Sequence, residues 1–439
     1  MKEPCCIFWF RRDLRLDDNR GLWEALRSGY RVLPVFIFDT HILKELPRHD
    51  ARVTFLHDRL QNLRSALQEA CGGSLAILEG TPEEVFPRLL SEWDVRAVYT
   101  NDDYEPYARQ RDARVAVLLR EADVTFHTFK DQVIFQKDEV TKEDGAPYVV
   151  YTPYMKKWKE EFRKVGALPA YDTRPYLAAV ISEAVPAGPT LSDLGFTRSD
   201  IAVPDPDLSP SLIENYGATR DFPDKDGTSH LGPHLRFGTV SVRKAIREAQ
   251  KAGNETFWNE LIWREFFTQI LWHFPNTVHE AFKKPYDRIR WRNREAEFEQ
   301  WKAGQTGFAL VDAGMRQLNQ TGYMHNRVRM LVASFLCKHL LIDWRLGEAY
   351  FAEKLLDYEL ASNVGNWQWA AGSGVDAAPY FRIFNPMTQV DKFDKELRYI
   401  RKWVPEYGTD RYPAPMVDHK MARERCLETY KEALEGATS

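Results

Sequence analysis

Four stretches of the chain combine residue types that could hold a flat ligand and govern the charge around it. In Asn259-Glu260-Leu261-Ile262-Trp263-Arg264-Glu265-Phe266-Phe267, Glu260, Trp263 and Phe267 fall at i, i+3 and i+7, so one carboxylate and two aromatic rings share a helix face. Such a face suits a planar heterocycle, and equally a core with the carboxylate at its rim. In Tyr323-Met324-His325-Asn326-Arg327-Val328-Arg329-Met330, Asn326, Arg329 and Met330 share a face and Arg327 flanks it. A guanidinium is not buried alone; the partner candidate for Arg329 is Asp357, in Asp357-Tyr358-Glu359. The third stretch, Leu360-Ala361-Ser362-Asn363-Val364-Gly365-Asn366-Trp367-Gln368-Trp369, sets two indoles one residue apart among amides and small residues. It is followed by Asp376 to Pro386, with Arg382 inside. The fourth, Asp226-Gly227-Thr228-Ser229-His230-Leu231-Gly232-Pro233-His234, offers hydroxyls, glycines and free backbone N–H groups, which suit a phosphate or a plain Ser/Thr helix cap.

Composition excludes other chemistries. The five cysteines (Cys5, Cys6, Cys71, Cys337, Cys426) are odd in number and scattered without a C-x-x-C pair, which argues against a disulfide framework or a zinc site, and no metal is expected. No apolar run approaches the ~18 residues of a membrane span, and the start lacks the apolar core and cleavage site of a signal peptide, so the cytoplasm is the expected compartment. The net charge of −4 speaks weakly against nucleic acid, yet basic residues interleave with Trp locally. Arg288-Ile289-Arg290-Trp291-Arg292-Asn293-Arg294 and Arg398-Tyr399-Ile400-Arg401-Lys402-Trp403 are the two clearest cases. Each cluster alone is best read as a solvated face; several with Trp make a nucleic-acid face more plausible. The 13 Trp call for a large core, stacked ligands, or both.

The elements that must position these residues divide the chain. Short apolar runs at 5–10, 30–39, 75–78, 97–100 and 124–127 alternate with helical patterns at 21–28, 51–70, 82–93 and 107–121. This alternation calls for a parallel sheet covered on both faces. No G-x-G-x-x-G follows any strand. A ligand on such a sheet would lie at the strands' carboxyl ends, where Asn101-Asp102-Asp103-Tyr104-Glu105-Pro106 stands, unless that segment is only a turn and helix cap. Residues 131–210, broken by Pro169, Pro175, Pro186, Pro189, Pro204, Pro206 and Pro210, read as a linker with room for short helices. Helical periodicity then recurs at 255–273, 308–320, 323–341 and 346–356. The expected domains are therefore 1–130, α/β; 131–210, linker; and 211–439, an irregular helical domain that holds most of the Trp and the chemistry.

Six blocks stand in the order and spacing of the photolyase/cryptochrome family: Arg11 to Asn19, Tyr151-Thr152-Pro153-Tyr154, Gly227 to Pro233, Asn259 to Phe267, Gly322 to Met330 and Asn363 to Pro386. The resemblance spans nearly the whole chain and is greatest to bacterial photolyases of the cyclobutane pyrimidine dimer type, class I or a near relative. It implies a Rossmann-like α/β domain of photolyase type followed by an all-α domain that binds folded FAD. Tyr216, Thr228, Ser229 and Leu231 match contacts to the phosphates and ribityl chain. Asn326, Arg329, Asp357 and Glu359 match groups around the flavin, and Asn363 matches the residue facing its N5. Glu260, Trp263, Asn326, Met330 and Trp369 match the lesion pocket; Arg220, Arg264, Arg327 and Arg382 match positions near the lesion and its phosphates. Trp367, Trp344 and Trp291 match the indoles that carry an electron inward to resting flavin.

The activity so implied is light-driven repair of UV-damaged DNA by a monomer: an electron from photoexcited, reduced FAD opens a flipped-out dimer and returns. An antenna chromophore (reduced folate, deazaflavin or FMN) in the α/β domain is left open. The alternative is a cryptochrome-like blue-light photoreceptor, but relatives of that kind carry Asp or Cys where Asn363 stands. Repair enzymes for 6-4 photoproducts usually present a pair of histidines, and His325 has no such partner in its helix. Cryptochrome-DASH proteins typically carry Gln and Tyr where Met330 and Trp369 stand. A flavin-binding electron carrier without a DNA substrate is the remaining reading. Two positions depart from the family pattern: Gly232 where Ser is frequent, and Glu359 where Asp is frequent.

Overall fold

The computed structural model describes residues 3–435. By contact the chain divides into two compact units: Met1–Glu139, Lys159–Pro206 and His230–Lys251 form one, and Val140–Trp158, Asp207–Ser229 and Ala252–Ser439 the other.

The first unit is built on a five-stranded sheet in the order β3-β2-β1-β4-β5. The strands are β1 (Pro4–Phe10), β2 (Arg31–Asp39), β3 (Ala76–Gly80), β4 (Asp94–Asn101) and β5 (Thr125–Phe129). All pairings are parallel, with Ile7 opposite Leu33 on one side and Val98 on the other. Helices α1 (Arg20–Leu26), α2 (Ala51–Cys71), α3 (Pro82–Glu92) and α4 (Pro106–Glu121) alternate with the strands, as the periodicity predicts. Alternate residues of β1 serve two cores: Cys6, Phe8 and Phe10 join one, Cys5, Ile7 and Trp9 the other. A strand buried on both faces must be apolar throughout, which is why β1 reads as an unbroken apolar run.

At 131–210 the prolines mark most of the irregular chain, but one long helix, α5 (Tyr151–Val165), stands before them. The segment 230–251, expected with the helical domain, packs in the first unit instead. The reason is a buried charge network. Arg243, on the helix Val242–Lys251, donates to Asp18 (3.0 Å) and Asp131 (2.7 Å), and Arg15 completes it at 2.6 Å from Asp131. Arg15 and Arg243 hold Asp131, against its burial, down at about 2.

The second unit is helical: α6 (Pro210–Thr219), α7 (Glu255–His273), α8 (Asn326–Ser334), α9 (Trp344–Lys354), α10 (Leu360–Ala371) and α11 (His419–Glu435) are the helices used below. The helix expected over 323–341 begins only at Asn326. His325 is extended and caps it, its Nδ1 accepting from the Arg327 N–H at 3.2 Å. Burial and the Arg329 and Arg327 charges push His325 down to about 4, so the neutral ring keeps the lone pair that the cap requires. The helix loosens into a π turn at Phe335–His339. Among the described residues, no helix is long and apolar enough to cross a membrane, and no three His, Cys, Asp or Glu gather as a metal site.

Candidate functional site

Helix α10 organises the site in the second unit. Two glycines let its neighbours close on it: a Cβ at Gly365 would overlap the Phe267 ring of α7, and one at Gly347 of α9 would overlap Trp367. At about 100° per residue, α10 then shows three faces. Ala361, Val364, Gly365 and Gln368 turn towards Phe267 and Ile270 of α7. Asn363, Trp367 and Ala370 line an inner cavity. Ser362, Asn366 and Trp369 border both that cavity and a second, more open cleft.

The inner cavity also holds Asn326, Arg329, Met330, Phe351, Asp357 and Glu359. Arg329 meets Asp357 in a two-pronged pair at 3.1 and 2.8 Å, the partner its burial demanded. Burial works against the Arg329 charge, and Asp357 more than offsets it, so the guanidinium stays above its ordinary pKa. Asn363 donates both amide hydrogens to Glu348, one to the backbone carbonyl (3.1 Å) and one to the carboxyl (2.9 Å). That leaves its oxygen as the group offered elsewhere. Burial raises the Glu348 carboxyl, and the Asn363 hydrogen bond opposes the rise.

The cleft is lined by Arg220, Glu260, Trp263, Arg264 and Phe267, together with Asn326, Met330, Ser362, Asn366 and Trp369. Asn254 starts α7 by accepting from the Phe257 N–H at 3.0 Å, which sets the register that turns Glu260, Trp263 and Phe267 to one side. Glu260 is paired with Arg220, and both are part-exposed. Arg264 reaches from the cleft to Glu359 of the inner cavity at 2.8 Å, so one ion pair spans the wall between them. The longer carboxylate at 359 is therefore engaged by the cleft.

Residues 257–410 match the family model of the FAD binding domain of DNA photolyase, and residues 6–175 that of DNA photolyase. The chain is 38% identical over 467 aligned residues to a deoxyribodipyrimidine photo-lyase of Synechococcus sp., covering 97% of this chain and 96% of that protein. The chain belongs to the DNA photolyase family. Two solved members share its fold. One is a bacterial class III photolyase from Agrobacterium tumefaciens, at a TM-score of 0.87 and 35% identity over 99% of this chain and 98% of that one. The other is an archaeal photolyase from Sulfolobus tokodaii with two FAD molecules, at 0.84 and 35% over 97% and 99%.

Set beside the family's candidate residues, the geometry gathers most of them and leaves some apart. Asn326, Arg329, Asp357, Glu359, Asn363 and Trp367 surround the inner cavity. Arg220, Glu260, Trp263, Arg264, Met330 and Trp369 border the cleft. Arg327 pairs with Asp221 at 2.5 Å and lies 4.5 Å over the Phe393 ring; Arg382 is exposed. Thr228 meets the Tyr323 hydroxyl at 3.1 Å, Tyr216 packs edge-on against Phe257, and the Ser229 carbonyl accepts from the Asp207 N–H. Leu231, buried, opens a short helix assigned to the first unit. Trp344 is buried in the same core as Trp367, and half-buried Trp291 packs against that core.

Two residues of the site have no role assigned from the sequence, although Tyr151 stands in one of the six family blocks. Glu348, which orients Asn363, was only one acidic residue in a helical run. Tyr151 lies face to face with Trp263, ring centroids 3.6 Å apart and planes 7° apart, and its hydroxyl donates to the Asn259 carbonyl at 2.8 Å. Tyr151, Tyr154 and Trp158 fall at i, i+3 and i+7, a spacing that could have announced a helix face packed on α7.

Proposed function

We infer that this chain is a deoxyribodipyrimidine photo-lyase that repairs cyclobutane pyrimidine dimers in UV-damaged DNA, using light. The observation that carries this reading is the shared wall: a cavity with a fixed cation and an oriented amide lies directly against an aromatic, arginine-lined cleft. The inner residues fit FAD. Phe351 and Trp367 offer flat apolar walls, Arg329 a permanent charge, and the Asn363 oxygen an acceptor for a ring N–H. Asn326, Arg329, Asp357, Glu359 and Asn363 would hold the ring system, and Tyr216, Thr228 and Ser229 its phosphates and ribityl chain. When bound and reduced, FAD supplies a light-absorbing one-electron donor, the chemistry that the protein itself lacks.

The protein's part is position and charge. Photolyases act on nucleotides taken out of the duplex, at a cost of a few kcal/mol that is least for damaged bases. Trp263 and Trp369 give the extruded dimer two indole walls, with Met330 between. Glu260 accepts from a dimer base, exchanging part of its bond to Arg220, and Arg220, Arg264, Arg327 and Arg382 answer phosphates. Trp367, Trp344 and Trp291 relay an electron inward when the cofactor is oxidised. Trp367 and Trp344 are both buried and Trp291 is half-buried, which supports Trp291 as the end nearest solvent.

The enzyme acts as a cytoplasmic monomer on this reading, which cell fractionation and sedimentation test. A second chromophore in residues 1–130 would show as absorption left after FAD's contribution is removed. The deciding experiment incubates reduced protein with dimer-containing DNA in blue light and in darkness. Dimers should disappear only in the light. Intact dimers with undiminished flavin photoreduction would replace repair with a photoreceptor role.

A further inference from the structure

The arginines around Trp291 do not line the lesion cleft, and two of them, Arg292 and Arg425, are held in place. Arg292 donates through its backbone N–H to the Leu341 carbonyl (2.7 Å) and through its guanidinium to the Leu340 carbonyl (3.2 Å), while Asn293 accepts from the Asp343 N–H (2.8 Å). The Trp291 ring meets Tyr430 of α11 edge-on at 6.1 Å. Arg425, on the same helix, donates to the His339 carbonyl at 2.6 Å. The segment 289–293 and α11 therefore make a rigid seat for a half-buried indole.

The charge of this seat is incompletely answered. Arg292 (2.8 Å) and Arg294 (3.4 Å) share a single carboxylate, Glu297. Asp287 and Asp343 are engaged by Arg345. Arg290 is exposed and forms no ion pair among the described residues. Burial and the guanidinium of Arg292 push Arg425 below its ordinary range, with Arg294 adding to the push and Glu297 opposing it. Guanidinium groups gathered around so few carboxylates form a local field that attracts anions.

We propose that the exposed edge of Trp291 is the docking patch for the external reductant, and that Arg290, Arg292, Arg294 and Arg425 select a small anionic one-electron donor. The proposal rests on the electron relay above and adds its partner. After the relay has sent one electron inward, Trp291 is left one electron short. A donor such as the ascorbate monoanion passes one electron to the indole radical cation, which returns to its closed-shell form. The donor leaves as its neutral radical and sheds a proton to water. Screening weakens the attraction as ionic strength rises.

The test compares the holoprotein with the double variant Arg290→Glu/Arg294→Glu. Photoreduction rates are measured with ascorbate (anion), dithiothreitol (neutral) and cysteamine (cation), at low and high salt. Steering fields change association rates by about tenfold or more, so charge reversal should lower the ascorbate rate on that order at low salt. It should leave dithiothreitol unchanged and raise cysteamine. A second readout needs no photochemistry: the fluorescence lost in Trp291→Phe should be quenched better by iodide than by caesium, and charge reversal should invert that preference. Unchanged ascorbate rates in the double variant overturn the patch while leaving the relay standing. So does weakened DNA binding at unchanged ascorbate rate, which would make these arginines phosphate contacts. A Trp291→Phe protein that photoreduces at the wild-type rate overturns the relay, and the proposal with it.

Discussion

On α10 the side chains at 363, 367 and 370 face the inner cavity alone, whereas those at 362, 366 and 369 also border the cleft. The first three are buried; of the second three, Asn366 is exposed and Ser362 and Trp369 half-buried. The inner set is held by neighbours: both Asn363 hydrogens go to Glu348, and Trp367 is wedged against Phe351 at 4.9 Å and Trp301 at 6.2 Å. The outer set is held more loosely, with the Asn366 amide bonded only back to its own helix at Ser362. A resident cofactor requires fixed partners, while a substrate that comes and goes requires groups free to exchange them. Helical periodicity lets about two and a half turns supply both.

The contrast breaks most sharply at the two indoles. Trp367→Phe removes the inner member of the proposed relay but keeps an aromatic ring in the cavity wall, so photoreduction should be abolished while chemically reduced protein repairs dimers normally. Trp369→Leu should do the reverse, weakening dimer binding and leaving photoreduction intact. Transient absorption and a dimer-binding titration on both variants decide it. If either variant loses both functions, the two faces are not separable.

Next in size is the exchangeable carboxylate. Glu260→Ala should lower repair or dimer affinity by about 10- to 100-fold, the 1.5–3 kcal/mol of a hydrogen bond to a charged group, with FAD content unchanged. The change also frees Arg220, so affinity for undamaged DNA should hold or rise. Loss of FAD from this variant would make Glu260 structural and dissolve the distinction between clamped and exchangeable groups.

Legibility from sequence followed the range of the interactions. The strands were plain because a doubly buried parallel strand has no choice but an apolar run, and α7 because its apolar periodicity and the spacing of Glu260, Trp263 and Phe267 are local signals. The Arg329–Asp357 pair was legible because a buried guanidinium requires a carboxylate and a suitable one stood in the next stretch. Tyr151, Glu348 and the Arg264–Glu359 bridge were not, since each depends on which helices touch. Arg243 shows the same limit: its own helix is ordinary, and only the buried Asp18 and Asp131 explain why 230–251 leaves the helical unit.

The smallest expected effect is the most specific. Trp263 is a wall of the cleft, yet its flatness against a dimer depends on what stands behind it, and that is Tyr151. Stacked aromatic pairs contribute about 0.5–1.5 kcal/mol beyond buried area, so Tyr151→Leu should cut the preference for dimer-containing over undamaged DNA by about 2- to 10-fold. Tyr151→Phe keeps the stack and loses only the bond to the Asn259 carbonyl, so it should restore the preference. Both variants need equal FAD content and equal thermal midpoints for the comparison to stand. If Leu and Phe both keep the wild-type preference, the ring behind Trp263 is packing and nothing more. If Phe fails as Leu does, the hydroxyl bond to Asn259 sets the wall instead, by fixing the turn of α7 that carries Glu260.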